Sequence, residues 1–383
     1  MFKKIKIFKK IKINSFTIVI LIIVFAFAGG AAGGVIVAPY LLAGDYSLPA
    51  FGNVNLNGQY LNGSSIVIRS ANKVVVEQDI KTGETVNSVI ASLVGIYRQK
   101  EITEKETFSL SDYYTANDKV AEGLAITSDG WIMADLSALP VGENISGDYA
   151  VITQDKKIYS IDGVEVDRLT NLHFIHIDAK DLTVREFSSQ EEISPGMAIL
   201  AVSGNGSIFS STVSEIKKNG IIVSSDYYQQ EIIPADEGLK KLAGAFVFDL
   251  AGKVVGIADK DGAIGHIDNY IPAINGLLRF GEPRRAGLGV NYIDLEDVVG
   301  YSHKRGAVIV KNTSGVAVSK GSPADLAGLA AGDVIVSVDG AELDENNKLD
   351  RILSRRYPGE KIILEYWRGK EKKEAEIELA EVK

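Results

Sequence analysis

The sequence predicts a mainly β protein: an N-terminal transmembrane helix, then an all-β barrel or sandwich domain, then a smaller α+β domain. Three observations predict it. One long uncharged apolar run lies near the start, and short β-rich runs alternate with turn signals over residues 74–274. After Gly281-Glu282-Pro283-Arg284-Arg285 the periodicity changes to a mixed pattern, which marks a second domain. At 383 residues, 46% hydrophobic and 24% charged, the chain is long enough for two domains with real cores and is not a disordered sequence.

Lys3, Lys4, Lys6, Lys9, Lys10 and Lys12 crowd the first twelve residues, which hold no acid, and no charge follows until Asp45. Residues 16–37 are long enough to cross a hydrocarbon core of ~30 Å as a helix. With lysines only on the N-terminal side, the positive-inside bias makes residues 1–12 a cytoplasmic tail and 13–38 a single anchor, and it puts the body outside the cytoplasmic membrane. Ala26-Phe27-Ala28 also has the small-x-small form of a cleavage site, so a cleavable secretory signal is the alternative. The apolar run continues through Val35-Ile36-Val37, beyond that site, and favours the uncleaved anchor. Either way the chain is exported. Gly29, Gly30, Gly33 and Gly34 would allow a close helix contact in the bilayer.

Residues 39–73 are rich in Gly, Asn and Ser without either periodicity and read as a linker. Within 74–281, strands are expected at Trp131-Ile132-Met133, Tyr149-Ala150-Val151-Ile152, Ile158-Tyr159-Ser160-Ile161, Ala198-Ile199-Leu200-Ala201-Val202 and Gly220-Ile221-Ile222-Val223. Asp129-Gly130 and Asp162-Gly163 supply turns. In 284–383, strands are expected over 307–311 and 334–338, a short helix within 324–328, and an amphipathic helix near 347–356.

The formal net charge is −9, and the body is more acidic still once the basic tail is set aside. With no basic stripe, duplex nucleic acid is excluded as the expected partner. The absence of cysteine removes disulfides, thiolate nucleophiles and cysteine metal sites. The histidines are His173, His176, His266 and His303. His173 and His176 alternate to opposite faces of one strand, and no H-E-x-x-H accompanies them, so no metal is expected. No cofactor is expected either, since Gly204-Asn205-Gly206 lacks the following Lys-Ser/Thr and the βαβ context of a phosphate loop.

Four segments carry a resemblance. Gly123-Leu124-Ala125-Ile126-Thr127-Ser128-Asp129-Gly130-Trp131-Ile132-Met133-Ala134-Asp135-Leu136-Ser137 resembles the G-F-I-I-S-x-D-G-Y-I-L-T-N-x-H of HtrA/Deg trypsin-like proteases. Asp167-Arg168-Leu169-Thr170-Asn171-Leu172 resembles their D-x-x-T-D-L. Pro195 to Asn205 and Thr212-Val213-Ser214 are similar to the strand, turn and next strand. Lys241-Leu242-Ala243-Gly244-Ala245-Phe246-Val247, with Gly252-Lys253-Val254-Val255-Gly256-Ile257, resembles the stretch around the nucleophile, G-N-S-G-G-P-L and then G-x-V-I-G-I.

The resemblance implies a trypsin-like double β-barrel, with Ser137 at the general-base histidine, Asn171 at the orienting aspartate and Ala243 at the nucleophile. A methyl group cannot attack a carbonyl, and serine cannot take up a proton near neutral pH. Asparagine supports the wrong imidazole tautomer, which in trypsin itself costs about 10⁴ in rate. Lys240-Lys241-Leu242 replaces the family's P-G-N, whose glycine lets the turn aim amides at the oxyanion. The resemblance therefore implies a degenerate, catalytically silent member.

Gly287-Leu288-Gly289-Val290, the long run from Gly321 to Ile335 and Asp339-Gly340 resemble a PDZ domain of the same family. This implies that an extended ligand adds a strand after Val290, its terminal carboxylate held by amides at Gly287-Leu288-Gly289. Leu349, Ile352 and Leu353 recur at helical spacing and would line the opposite wall, or simply pack the core. The expected partners are C-terminal peptides or unfolded envelope proteins, with the membrane through the N-terminal helix and a homo- or hetero-oligomer, a trimer by resemblance. Two alternatives stand beside this reading: an active endopeptidase using another serine, with Ser137 and Ser203 the nearest, and a purely structural envelope scaffold.

Overall fold

The computed structural model describes residues 69–382 apart from 102–108, 141, 205–206, 219, 228–229, 304 and 346. Ahead of these it describes Val24, Ala26 and two short strands, β1 (Tyr46–Leu48) and β2 (Gly52–Val54). Apart from the helical Val24 and Ala26, the expected tail over 1–12 and anchor over 13–38 lie outside the described residues. Among the described residues no helix is long and apolar enough to cross a membrane.

Two features depart from the linker reading of 39–73. The strands β1 and β2 pair antiparallel inside it, three residues each and too short to register as a periodicity. The helix α1 (Arg69–Ile90) then runs across the expected border at 73/74, where Val74-Val75-Val76 reads locally as β. Tertiary packing explains its last turns: Val86 and Val89 are buried against Phe246, Phe248 and Val254, and Thr85 Oγ1 donates to Leu250 O at 2.7 Å. Burial of those faces outweighs the weak propensity of β-branched residues.

The first barrel contains β3 (Leu93–Arg98), β4 (Lys119–Ala125), β5 (Trp131–Ala134), β6 (Tyr149–Ile152), β7 (Ile158–Asp167) and β8 (Leu172–Ile177). It closes in the order β3-β4-β5-β8-β7-β6, and a one-turn helix α2 (Ile145–Asp148) precedes β6. Alternate residues such as Val94, Ile96, Ile132, Val151 and Ile175 point inward and fill it. The second barrel closes through β9 (Ala198–Val202), β10 (Ile208–Lys218), β12 (Gln230–Pro234), β13 (Phe246–Asp249), β14 (Val254–Ala258) and β15 (Ile264–His266). Between the barrels lies a third cluster, in which Leu124, Met133 and Phe174 of the first meet Leu200, Val202, Phe246 and Phe248 of the second. This is the expected double barrel.

The helix α3 (Ile271–Phe280) stops at Gly281, whose φ of 81° and N–H to Leu277 O form a left-handed cap. The C-terminal domain follows with β16 (Ala286–Gly287), β17 (Asn291–Asp294), β18 (Ala307–Ile309), α4 (Pro323–Leu326), β19 (Val334–Val338), β20 (Ala341–Glu342), α5 (Leu349–Ser354), β21 (Lys361–Arg368), β22 (Glu371–Glu378) and β23 (Ala380–Glu381). One expectation is corrected here. The strand read at 220–223 is reduced to β11 (Val223–Ser224), and it pairs with β17 at the edge of the C-terminal sheet, outside both barrels. A short apolar run suggests a strand, not which sheet edge receives it, and Ile221 stays exposed here.

Candidate functional site

Three segments converge on one cleft between the barrels. Ala134 at the end of β5 pairs with His173 on β8, and a Cβ built on Gly244 would lie 3.8 Å from Asp135. Asp135, Thr170, Ala258, Tyr227 and Tyr270 line the resulting cavity of about 200 Å³. Ser137 is exposed just past β5, its N–H donating to Asp135 Oδ1 at 2.9 Å. Asn171 sits between β7 and β8 with φ 57°, a left-handed conformation that asparagine tolerates, and its N–H donates to Asp167 O at 2.7 Å. Ala243 is exposed at the C-terminal end of a 3-10 helix, Glu237–Leu242.

The cleft has carboxylates, with the His173 imidazole on the adjoining strand β8, but no poised nucleophile among its described residues. Burial lowers the His173 pKa, opposed by a backbone hydrogen bond with Asn171 and the Asp135 charge, and its Nδ1 has no hydrogen-bond partner. The hydroxyl of Thr170 donates to Asp167 Oδ2 at 2.5 Å, away from any base. Burial first, then the Asp135 charge, pushes the Tyr270 phenol far above its ordinary value, so it stays a neutral wall. Lys240, Lys241 and Leu242 lie in the 3-10 helix with no positive φ, and the amide of Gly244 is spent on Ala258 O at 2.8 Å. Ser203, the other serine considered, accepts from Lys119 Nζ at 2.9 Å while Glu122 pairs with the same ammonium at 3.3 Å.

The remaining histidines have structural partners. His176 Nδ1 meets Asp162 at 2.6 Å with its ring on Trp131, and His303 packs beside Trp367. His266 is fully buried, which pulls its pKa down to about 4, and its Nδ1 accepts from Asp268 N–H at 3.1 Å. No group of three His, Asp or Glu side chains able to hold a metal occurs among the described residues.

The expected peptide groove begins at the turn Gly287-Leu288-Gly289-Val290, which joins β16 to β17. Gly289 has φ 85°, and a Cβ there would meet Ser322 Cβ at 2.2 Å, so only glycine fits. The amides of Leu288 and Gly289 donate to one oxygen, Asp226 Oδ1, at 2.8 and 2.7 Å. Val290 N–H donates to Ser225 Oγ at 3.0 Å, and Ser225 N–H donates to Val290 O at 2.9 Å. Leu349 and Leu353 are fully buried in a core that also holds Leu288 and Val290, while Ile352 and Val223 are partly buried against it. Ser225 and Asp226 were not foreseen, because nothing local distinguishes this aspartate from one in a solvated turn.

The C-terminal domain is tied to both barrels. Arg285, just before β16, reaches Asp167 of the first barrel through Nη2 at 2.5 Å and Nε at 3.2 Å, with both side chains 6% exposed. Its Nη1 donates to Asn269 O at 2.9 Å beside the second barrel. Arg351 on α5 contacts Glu191 and Gln190, and Arg279 lies over the Tyr357 ring at 4.1 Å.

Residues 286–379 match the family model of the PDZ domain. The chain is 26% identical over 276 residues to the probable periplasmic serine endoprotease DegP-like protein of Hahella chejuensis, covering 68% of this chain and 56% of that one. A namesake from Bartonella henselae is also 26% identical, with 67% and 52% covered, so the chain spans about half the length of these curated relatives. The serine protease Do-like HtrA of Lactobacillus helveticus is 28% identical over 377 residues, covering 87% of this chain and 89% of that protein. Among solved structures, the HtrA-type protease AlgW with decapeptide superposes with a TM-score of 0.51 at 19% identity, over 79% of this chain and 98% of that one. The two barrels, the PDZ match and these comparisons together show a chain similar to HtrA/DegP-type trypsin-like serine proteases that carry a PDZ domain.

Proposed function

We propose that the chain is a membrane-anchored, extracytoplasmic pseudoprotease that binds protein C-termini or unfolded segments through its PDZ domain, as a scaffold or regulator in envelope protein quality control. The observation that carries this reading is Ala243, exposed at the nucleophile position after a 3-10 helix in place of an oxyanion turn. Ser137 and Asn171 at the other two positions support it, as does a cleft whose lining hydroxyls, among the described residues, are Thr170, tied to Asp167, and two tyrosines. The anchor rests on the lysine asymmetry and the uncharged run of the first 38 residues. Homo- or hetero-oligomers, a trimer by resemblance, are part of the same proposal.

The full chain in mild detergent is expected to leave unfolded protein uncleaved above a buffer control and to resist a fluorophosphonate probe. Stoichiometric labelling of any serine sinks the reading. The relatives' names favour the second reading, an active endopeptidase with a non-standard site, and the same labelling experiment decides for it. External protease on spheroplasts should leave a membrane-retained N-terminal stub, whereas a soluble mature chain starting near Gly29 establishes a cleaved signal.

A further inference from the structure

We propose that residues 223–226 are an internal ligand of the PDZ groove, so that any C-terminal peptide binds only by displacing this segment of the same chain. The inference rests on the reading of the groove as a C-terminus site for its competitor, although the contact itself does not. Direction comes first. β11 runs antiparallel to β17, with Val223 opposite Tyr292 and Ser224 opposite Asn291, so the segment advances toward the glycine turn as an added ligand strand does. Chemistry comes second. A ligand of this kind ends in a carboxylate, and the segment delivers one from a side chain, Asp226 Oδ1, to two amides of the turn. Charge-assisted bonds of this kind are about twice as strong as neutral ones.

The next amide along, of Val290, is taken by Ser225 Oγ, so three successive amides from Leu288 to Val290 are engaged by the segment. The main chain then turns back, with Ser224 bridging to Tyr227, which explains how an internal segment ends like a terminus. Val223 adds the apolar contact, packing against the domain core. A tethered competitor acts at an effective concentration on the order of millimolar. The apparent affinity of an external peptide falls by the fraction of chains whose groove is open.

The test measures binding of a fluorescent decapeptide ending in a free Val carboxylate, and of its amide, to the full chain. Asp226→Ala should tighten free-acid binding about tenfold or more. Because the chain has no cysteine, Ser224→Cys with Asn291→Cys forms the only thiol pair, across two directly opposed positions. Its oxidised form should lose peptide binding, and reduction should restore it. Equal affinity in wild type, Asp226→Ala and the oxidised pair overturns the proposal.

If no peptide binds any form, the C-terminus reading fails, and amide exchange over residues 286–292 decides the internal ligand. Protection in wild type that is lost in Asp226→Ala upholds it. Protection unchanged by Asp226→Ala, with the variant folded by circular dichroism, overturns it.

Discussion

Asp350 on the first turn of α5 shows how one residue carries a condition into the fold. Its side chain is buried beside Tyr292, whose hydroxyl accepts from the Asp350 N–H at 3.3 Å. Burial first, and the neighbouring Asp294 charge second, push its carboxyl up to about 6. An acid whose folded pKa is raised stabilises fully below its unfolded value near 4 and loses that contribution as pH rises through about 6. The Asp350→Asn variant should therefore unfold at higher denaturant than wild type at pH 8, by ~2 kcal/mol, and match it below pH 4. An equal difference at both pH values would assign the effect to packing instead. From the sequence, Asp350 is one more charged residue on an amphipathic helix, since burial of a polar position has no local signature.

At the scale of elements, the 3-10 helix Glu237–Leu242 matters more than any one position of the proposed triad equivalents. Restoring chemistry with Ser137→His, Asn171→Asp and Ala243→Ser leaves its amides directed along a right-handed helix. The triple variant should thus remain ~100-fold or more below a version that also carries Lys240→Pro, Lys241→Gly and Leu242→Asn, by casein cleavage. Comparable activity in the two would show that the turn is not the obstacle. Strands were legible at this scale, and β6, β9 and β19 match their expected positions, because alternation or a short apolar run reports burial in a sheet directly. The helix α1 was not, because Val74-Val75-Val76 reads as strand, and it is the burial of Val86 and Val89 against the second barrel that holds its last turns.

At the scale of the whole molecule, Arg285 and Asp167 join the PDZ domain to the loop that carries Asn171. Each charge is desolvated, and it is compensated by the other together with the Asn269 carbonyl and the Thr170 hydroxyl. Arg285→Ala should destabilise the chain by ~3 kcal/mol, because it leaves Asp167 buried without its partner. The double variant Arg285→Met with Asp167→Leu should recover part of that loss in urea unfolding. A loss under ~0.5 kcal/mol for Arg285→Ala would mean that water replaces the guanidinium and the junction is open. The composition break at 281–285 precedes the PDZ match in the sequence, but the ion pair spans 118 positions and has no local trace.

The sequence by itself determined the β-rich body ahead of the PDZ match, the turn and helix of that domain, and the residue types at the positions proposed as triad equivalents. These are properties of local periodicity and of short motifs, which each segment carries wherever the chain goes. Only the tertiary structure decided that 223–226 leaves the barrels for the PDZ sheet, that Asp226 meets the amides of Leu288 and Gly289, and that Lys240-Lys241-Leu242 are helical. A strand edge or a backbone amide accepts any partner of suitable geometry, so its partner is chosen by the folded chain and not by neighbouring residues.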